Sequence, residues 1–151
     1  MSTLNTLGDQ VPGQLPDPST ITLKNILGNH VVVRHRDGRY ATYAHMQKGS
    51  VTVEVGDTVR VGQTLGKLGN TGNTSAPHLH FQITEGRSVL GSSGLPFVFD
   101  HFRLQGQVDP QRWATATTAE GTWNEGLLPT PRPRTAQIPL DLNIVDFGNR
   151  G

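Results

Sequence analysis

Cysteine is absent from the 151 residues of this sequence. That absence excludes a disulfide framework and a thiolate metal site, so any metal must be held by histidine and carboxylate. Six histidines are present. Their placement is therefore the most informative part of the composition.

Charge of one sign and long apolar runs are also scarce. The formal net charge is +1, and Lys and Arg are scattered without forming a basic stripe, so nothing predicts binding to nucleic acid or anionic lipid. No stretch approaches the ~20 apolar residues of a membrane span. The opening twenty residues show no basic start followed by an apolar run, so no export signal is visible in them.

The composition favours one domain with a modest core, because 34% of the residues are hydrophobic. Glycine (18 residues) and proline (10 residues) are frequent, which favours short strands joined by tight turns. No internal repeat is visible. Solenoid and propeller architectures are therefore not expected.

Strand and turn signals begin near Gly28. Residues 30–34 are rich in valine, Asp37-Gly38 is a hairpin turn signal, and residues 39–45 predict the returning strand. Residues 51–61 alternate apolar and polar side chains, which predicts further short strands, and residues 78–84 predict another. We expect a mainly β fold built on an antiparallel sheet.

The same signals predict three regions along the chain. Residues 1–27 read as an extended, Pro/Gly-rich loop region, residues 28–111 as a β domain with its core motifs in 28–84, and residues 112–151 as a linker followed by a C-terminal edge strand or tail. In the last two regions, residues 86–111 read as an irregular excursion and the run LPTPRPR at 128–134 as a stiff linker.

The most suggestive histidines are His78 and His80. One residue separates them on a predicted strand, so both imidazoles should emerge on the same face, and Pro77 fixes the backbone at the start of that strand. An H-x-H pair alone is more often two exposed or hydrogen-bonded strand histidines than a functional site. The surrounding motifs decide between the two interpretations.

Three motifs occur in order between residues 28 and 84. Tyr43-Ala44-His45 comes first, residues 55–66 then read VGDTVRVGQTLG, and residues 69–81 read GNTGNTSAPHLHF. Together they resemble the lysostaphin/LytM-type zinc metalloendopeptidases, peptidoglycan hydrolases with a duplicated hybrid motif fold. The resemblance implies a zinc-dependent endopeptidase that cuts peptide cross-bridges of peptidoglycan and acts outside the cytoplasm, in the cell envelope.

The resemblance also implies roles for three residues. His80 is expected to be a zinc ligand, while His45 and His78 are expected to be the catalytic residues beside the metal-bound water and the scissile carbonyl. The remaining histidines fall outside the motifs, and for them we expect structural or solvated roles: His30, His35 and His101.

One part of the family pattern is missing. A catalytic zinc normally has three protein ligands, and the family takes two of them from an H-x-x-x-D motif upstream of the Gly28-Asn29 strand. Residues 1–29 contain no histidine, and Asp9 and Asp17 are their only acids. We therefore expect one zinc ligand in this chain, a fold incomplete at its N-terminus, and a truncated gene model whose in-frame upstream sequence encodes the other two ligands.

Two alternatives remain. The chain could be a degenerate family member that acts as a peptidoglycan-binding or hydrolase-activating module, which would account for the missing motif. Residues 55–63 also resemble the hammerhead of biotin/lipoyl carrier domains. That class requires a modified lysine at a hairpin tip, and Lys67 lacks the expected flanking residues.

Overall fold

The predicted hairpin forms the centre of a five-stranded antiparallel sheet in the computed structural model, which describes residues 2–115 and 126–148. The strands lie side by side in chain order: β1 Ser2–Leu4, β2 Asn29–Arg34, β3 Tyr40–Met46, β4 His80–Thr84 and β5 Gly94–Leu95. Val32 is opposite Thr42 in the β2–β3 pair, and Thr42 is opposite Gln82 in the β3–β4 pair. The prediction of a mainly β, antiparallel fold is confirmed.

The hydrophobic core of this sheet lies between the β2–β3 hairpin and the loop that follows it. Val31, Met46 and Val53 are its buried members. Five partly buried side chains pack against them: Val33, Tyr43, Val51, Val59 and Leu65. Burying this apolar surface fixes which face of the hairpin points inward, since a shift of one residue would turn every side chain to the other face.

Residues 51–61 were predicted to form short strands, and this was wrong. The structure shows turns and extended backbone there, tied across by a bond from the Thr52 amide to the Leu65 carbonyl (3.0 Å). The alternation of valines reflects packing, because Val51 and Val53 contact the core while Val55 is 65% exposed. Periodicity alone could not distinguish this packed loop from a strand.

The N-terminal residues are joined to the sheet. β1 pairs with β2, with Thr3 opposite Val31. The Asn29 side chain binds the backbone of Leu7 in both directions, at 2.9 Å each. A single 3-10 turn, Pro18–Thr20, is capped by the Asp17 carboxylate. Residues 2–14 therefore lie against the five-stranded sheet and its loops, although their composition predicts an extended loop.

A second compact unit begins at Phe97. Its described elements are β6 Phe99–Gln107, a short helix α1 Pro110–Thr115, β7 Leu127–Gln137 and β8 Asn143–Asp146, with strand order β7-β6-β8. Phe102 is its buried apolar residue, and the Phe99 and Phe102 rings both approach the Phe147 ring.

Residues 99–107 and 128–134 differ from their predictions as irregular excursion and linker, because both lie in strands. The prolines of LPTPRPR are tolerated in β7 because it is an edge strand, where one side needs no ladder hydrogen bonds. Within the described ranges, no helix is long and apolar enough to cross a membrane.

Candidate active site

The three histidines singled out by the sequence motifs come together beside β3 and β4. The His45 ring centroid lies 4.8 Å from that of His78 and 5.6 Å from that of His80. His80 is the first residue of β4, whereas His78 precedes this strand and forms an isolated bridge with Gly69. The other three histidines have different surroundings. The His30 Nδ1 lies 2.9 Å from the Gly28 carbonyl, His35 is exposed at the β2–β3 turn, and His101 is exposed on β6.

His45 occupies an unusual backbone position near the end of β3. Its φ is +60°, in the left-handed region that non-glycine residues seldom adopt, and its amide donates to the Leu27 carbonyl (2.9 Å). Strained residues of this kind cluster at functional sites, where the surrounding structure holds them in place. In this backbone conformation the buried His45 imidazole points toward the other two rings.

The protonation of His45 follows from its partners. Its Nδ1 lies 2.7 Å from the Thr71 carbonyl oxygen, which can only accept, so Nδ1 carries the hydrogen and Nε2 keeps a lone pair. Burial lowers the pKa of His45, and the charges of His78 and His80 lower it further, while the Thr71 carbonyl opposes the shift. His45 is therefore a neutral hydrogen-bond acceptor at its Nε2 near pH 7.

His78 also carries its ring hydrogen on Nδ1, but with different partners. Its Nδ1 lies 2.9 Å from the Ala76 carbonyl and 3.2 Å from the Thr74 hydroxyl oxygen. Because the carbonyl can only accept, Nδ1 carries the hydrogen and Nε2 again keeps the lone pair. Two imidazoles that both present Nε2 as an acceptor suit proton transfer to and from a bound molecule.

His80 is oriented the other way. Its Nε2 lies 2.6 Å from the Gln82 side-chain oxygen, so Nε2 carries the hydrogen and Nδ1 keeps the lone pair. An imidazole whose other nitrogen donates to a side-chain oxygen is the usual arrangement of a histidine metal ligand. His80 thus differs from the other two histidines in having its lone pair on Nδ1 and its hydrogen on Nε2.

Comparison with known families agrees with this constellation. Residues 19–91, which contain all three rings and the loops that orient them, match the sequence profile of peptidase family M23. We call residues 19–91 the M23 segment, after the family whose profile they match. The resemblance to lysostaphin/LytM-type endopeptidases is thereby confirmed.

Several curated relatives share this M23 segment. Over 56 residues the chain is 42% identical to the peptidoglycan DD-endopeptidase ShyC of Vibrio cholerae, 45% identical to lysostaphin of Staphylococcus simulans and 41% identical to the cell division protein DipM of Caulobacter vibrioides. These matches cover 37%, 36% and 37% of this chain, but 12%, 11% and 9% of the three relatives. The chain spans a small part of the length of each relative.

The described part of the M23 segment does not form a complete zinc site. Among residues 2–115 and 126–148, no group of three histidine, aspartate or glutamate side chains is placed to hold a metal. His80 fits one ligand position, because its Nδ1 is available and its Nε2 is held by Gln82. A catalytic zinc usually has three protein ligands around an open position, and the described residues fall short of that number.

A groove of 1110 Å³ lies elsewhere on the M23 segment. Its wall includes Val33, Tyr43, Leu65 and Leu79, and none of His45, His78 and His80 lines it. Leu79 stands between two site histidines in the sequence and is 46% exposed. The groove is therefore distinct from the histidine site, which is formed by the three rings and their hydrogen-bond partners.

Sequence reasoning found the histidines but not the residues that orient them. Asn70, Thr71 and Thr74 are buried and polar, and they make the bonds that fix the loop before His78. The polar tract GNTGNTS was visible as a motif, yet nothing in it showed which side chains turn inward. Three other residues of the motifs lie near the histidines in the sequence. Tyr43 packs on the Phe81 ring at 5.0 Å, Asn73 is exposed, and the Ser75 carbonyl accepts from the Gly13 amide.

Proposed function

We propose that this M23 segment is the peptide-hydrolysing part of a peptidoglycan endopeptidase. The observation that carries the proposal is the pair His45 and His78, whose rings lie 4.8 Å apart and whose Nδ1–H groups are both held by backbone carbonyls. Two relatives are named as a peptidoglycan endopeptidase and as lysostaphin. Those names support peptides of peptidoglycan as the substrate class.

In the proposed reaction the two imidazoles handle the proton. One Nε2 accepts a proton from the attacking water as its oxygen bonds to the peptide carbonyl carbon. The Nε2 of the other ring, which also carries a lone pair, holds the same water by a second hydrogen bond, and the protonated ring then donates to the leaving amine nitrogen as the C–N bond breaks. A neutral His45 is suited to the accepting role because burial keeps its pKa low.

Zinc is the cofactor that family resemblance implies, and we assign His80 Nδ1 as one ligand. When bound, zinc would polarise the peptide carbonyl and lower the pKa of a coordinated water. The other two ligands are proposed to come from an H-x-x-x-D motif, which this sequence does not contain. We propose hydrolysis for the form in which those ligands are present, in the cell envelope where peptidoglycan lies.

A second function is favoured by one specific observation. Since no three-ligand group is placed to hold a metal among the described residues, the 151-residue chain could bind peptidoglycan, or activate another hydrolase, without cutting any bond itself. This alternative predicts that purified peptidoglycan retains the chain while its peptides stay intact.

The test compares two proteins on purified peptidoglycan, with products identified by mass spectrometry. One is the 151-residue chain, and the other is the same chain with whatever in-frame residues its gene encodes upstream. Zinc-dependent release of peptide fragments by the second protein is the expected result. Retention without cleavage by both proteins would favour the binding module.

Single substitutions then assign the roles. We expect His45→Ala and His78→Ala to lower turnover about 10²-fold or more while zinc content is preserved, and His80→Ala to lower both. His35→Ala is the matched control, because His35 is exposed at the β2–β3 turn and lies outside the trio. Cleavage that survives His45→Ala and His78→Ala would overturn the proposal.

A further inference from the structure

The segment after β1 runs along the loop that carries the site residues. The Gln10 amide donates to the Asn70 carbonyl (2.7 Å), and the Gly13 amide donates to the Ser75 carbonyl (2.7 Å). Between β1 and these contacts, Asp9 forms an isolated antiparallel bridge with Thr71. Residues 9–13 therefore run alongside residues 70–75 and are bonded to their backbone.

Asp9 is the charged residue of this segment, residues 9–13. Its Oδ1 accepts from the Asn70 amide (2.8 Å) and its Oδ2 accepts from the Lys48 amide (3.1 Å). One carboxylate thus joins the segment after β3 to the loop before His78. Bonds from backbone amides to an ionised carboxylate are stronger than neutral ones.

From Asn70 the hydrogen bonds continue to His78. The Thr74 hydroxyl lies 3.0 Å from both Asn70 Oδ1 and the Ala76 carbonyl and can donate to one of them at a time. When it donates to Asn70, its oxygen faces His78 Nδ1 at 3.2 Å as an acceptor. Asn70 and Thr74 are 2% and 5% exposed, so water does not readily replace these bonds. With that direction, both the Thr74 oxygen and the Ala76 carbonyl (2.9 Å) accept from the His78 Nδ1–H group.

His45 depends on the same loop but is held more firmly. Its acceptor is the Thr71 carbonyl, and the Thr71 hydroxyl both donates to the Met46 carbonyl and accepts from the Asn29 amide, at 2.8 Å each. Loss of Asp9 would leave these two side-chain bonds in place. The His45 ring is therefore an internal reference for changes at His78.

We propose that Asp9 is a positioning residue for His78. Through Asn70 and Thr74 it holds the loop that keeps the hydrogen on His78 Nδ1 and the lone pair on Nε2. Its mechanistic meaning rests on the proposed function, since that function makes His78 a catalytic residue. The effect of Asp9 on the His78 ring does not depend on that function, because the ring tautomer can be measured without zinc or substrate.

The experiment reads the two ring tautomers directly by long-range ¹H–¹⁵N NMR on the 151-residue chain at about pH 8.5, about two units above the ordinary imidazole pKa. In the wild type we expect the Nδ1–H form for both His45 and His78. Asp9→Ala should move the His78 ring nitrogens toward the Nε2–H form and change those of His45 less. Thr74→Val, which interrupts the path beyond Asp9, should change His78 in the same direction but less, because the Ala76 carbonyl still accepts from Nδ1.

Asp17→Ala is the matched control, because this aspartate lies in the same N-terminal segment and caps only the exposed turn at residues 18–20. It should leave both rings unchanged. If Asp9→Ala does not fold, Asp9→Asn gives the same comparison, since its amide oxygen can still accept one of the two bonds. A folded Asp9 variant with an unchanged His78 ring, or with equal changes in both rings, overturns the proposal, whereas absence of peptidase activity would overturn only the proposed function.

Discussion

Three threonines of the five-stranded sheet and its loops allow a controlled test of what holds the site together. Thr42, Thr71 and Thr84 are each 0% exposed, but their hydroxyl groups have different partners. Thr71 makes two bonds at 2.8 Å and Thr84 donates one to the Gly86 carbonyl at 2.8 Å, whereas Thr42 Oγ1 has no partner among the described residues. Replacing each by valine keeps the shape and removes only the hydroxyl.

The expected free energies of unfolding follow from that count. Thr71→Val loses two bonds, each worth about 1 kcal/mol, and leaves the buried Asn29 amide without its acceptor, which costs about 1–3 kcal/mol more. A loss of about 3–5 kcal/mol is therefore expected. Thr84→Val should lose about 1–2 kcal/mol, and Thr42→Val should gain about 1 kcal/mol because it removes a buried polar group with no bond.

Urea denaturation of the four proteins measures these differences, provided that the m value stays constant. The predicted order of stability is Thr42→Val, wild type, Thr84→Val, Thr71→Val. If Thr71→Val and Thr42→Val differed by less than about 0.5 kcal/mol, within the scatter typical of surface substitutions, the hydrogen-bond assignments around Thr71 would be refuted.

Two further predictions concern the same region. Gly28→Ala should destabilise the fold by well over 1 kcal/mol, because Gly28 has φ +61° and a Cβ there would meet the Thr71 carbonyl oxygen at 2.1 Å. Gly38 has φ +89° and open space around it, so Gly38→Ala should cost about 1 kcal/mol from backbone strain alone. Calorimetric melting of both variants tests this, and equal losses would contradict it. Because the pKa of His45 is lower in the folded chain than in the unfolded chain, the unfolded chain takes up a proton on His45 at a higher pH. The free energy of unfolding should therefore fall as pH drops below about 6.5 and level off below the folded-state pKa. His45→Asn should flatten that slope in denaturation curves at a series of pH values, and an unchanged slope would show that His45 is not its source.

Local signals accounted for much of the fold and for the histidines. The β2–β3 hairpin followed from valines around an Asp-Gly turn, and His45, His78 and His80 followed from motifs that place imidazoles near one another. β7 was missed because its prolines suggest a linker, and an edge strand accepts them only once β6 is known to be its neighbour.

Long-range hydrogen bonds could not be predicted in the same way. Asp9 and Asn70 are separated by 61 positions, and their bond joins a carboxylate to a backbone amide, which leaves no periodic signal in either segment. The positive φ of His45 was equally hidden, because it depends on the Leu27 and Thr71 carbonyls that surround the residue. Tertiary contacts of this kind decide how the motif histidines are oriented.

We propose that His80 is the metal ligand of the trio and that the described residues supply one ligand of an incomplete zinc site. Calorimetric titration of the 151-residue chain with zinc tests it most directly, with His80→Ala and the exposed-site control His35→Ala beside the wild type. We predict weak binding, without a stoichiometric end point at protein concentrations on the order of 10 μM, that His80→Ala abolishes and His35→Ala leaves unchanged. Tight one-to-one binding, or binding that survives His80→Ala, would contradict the account.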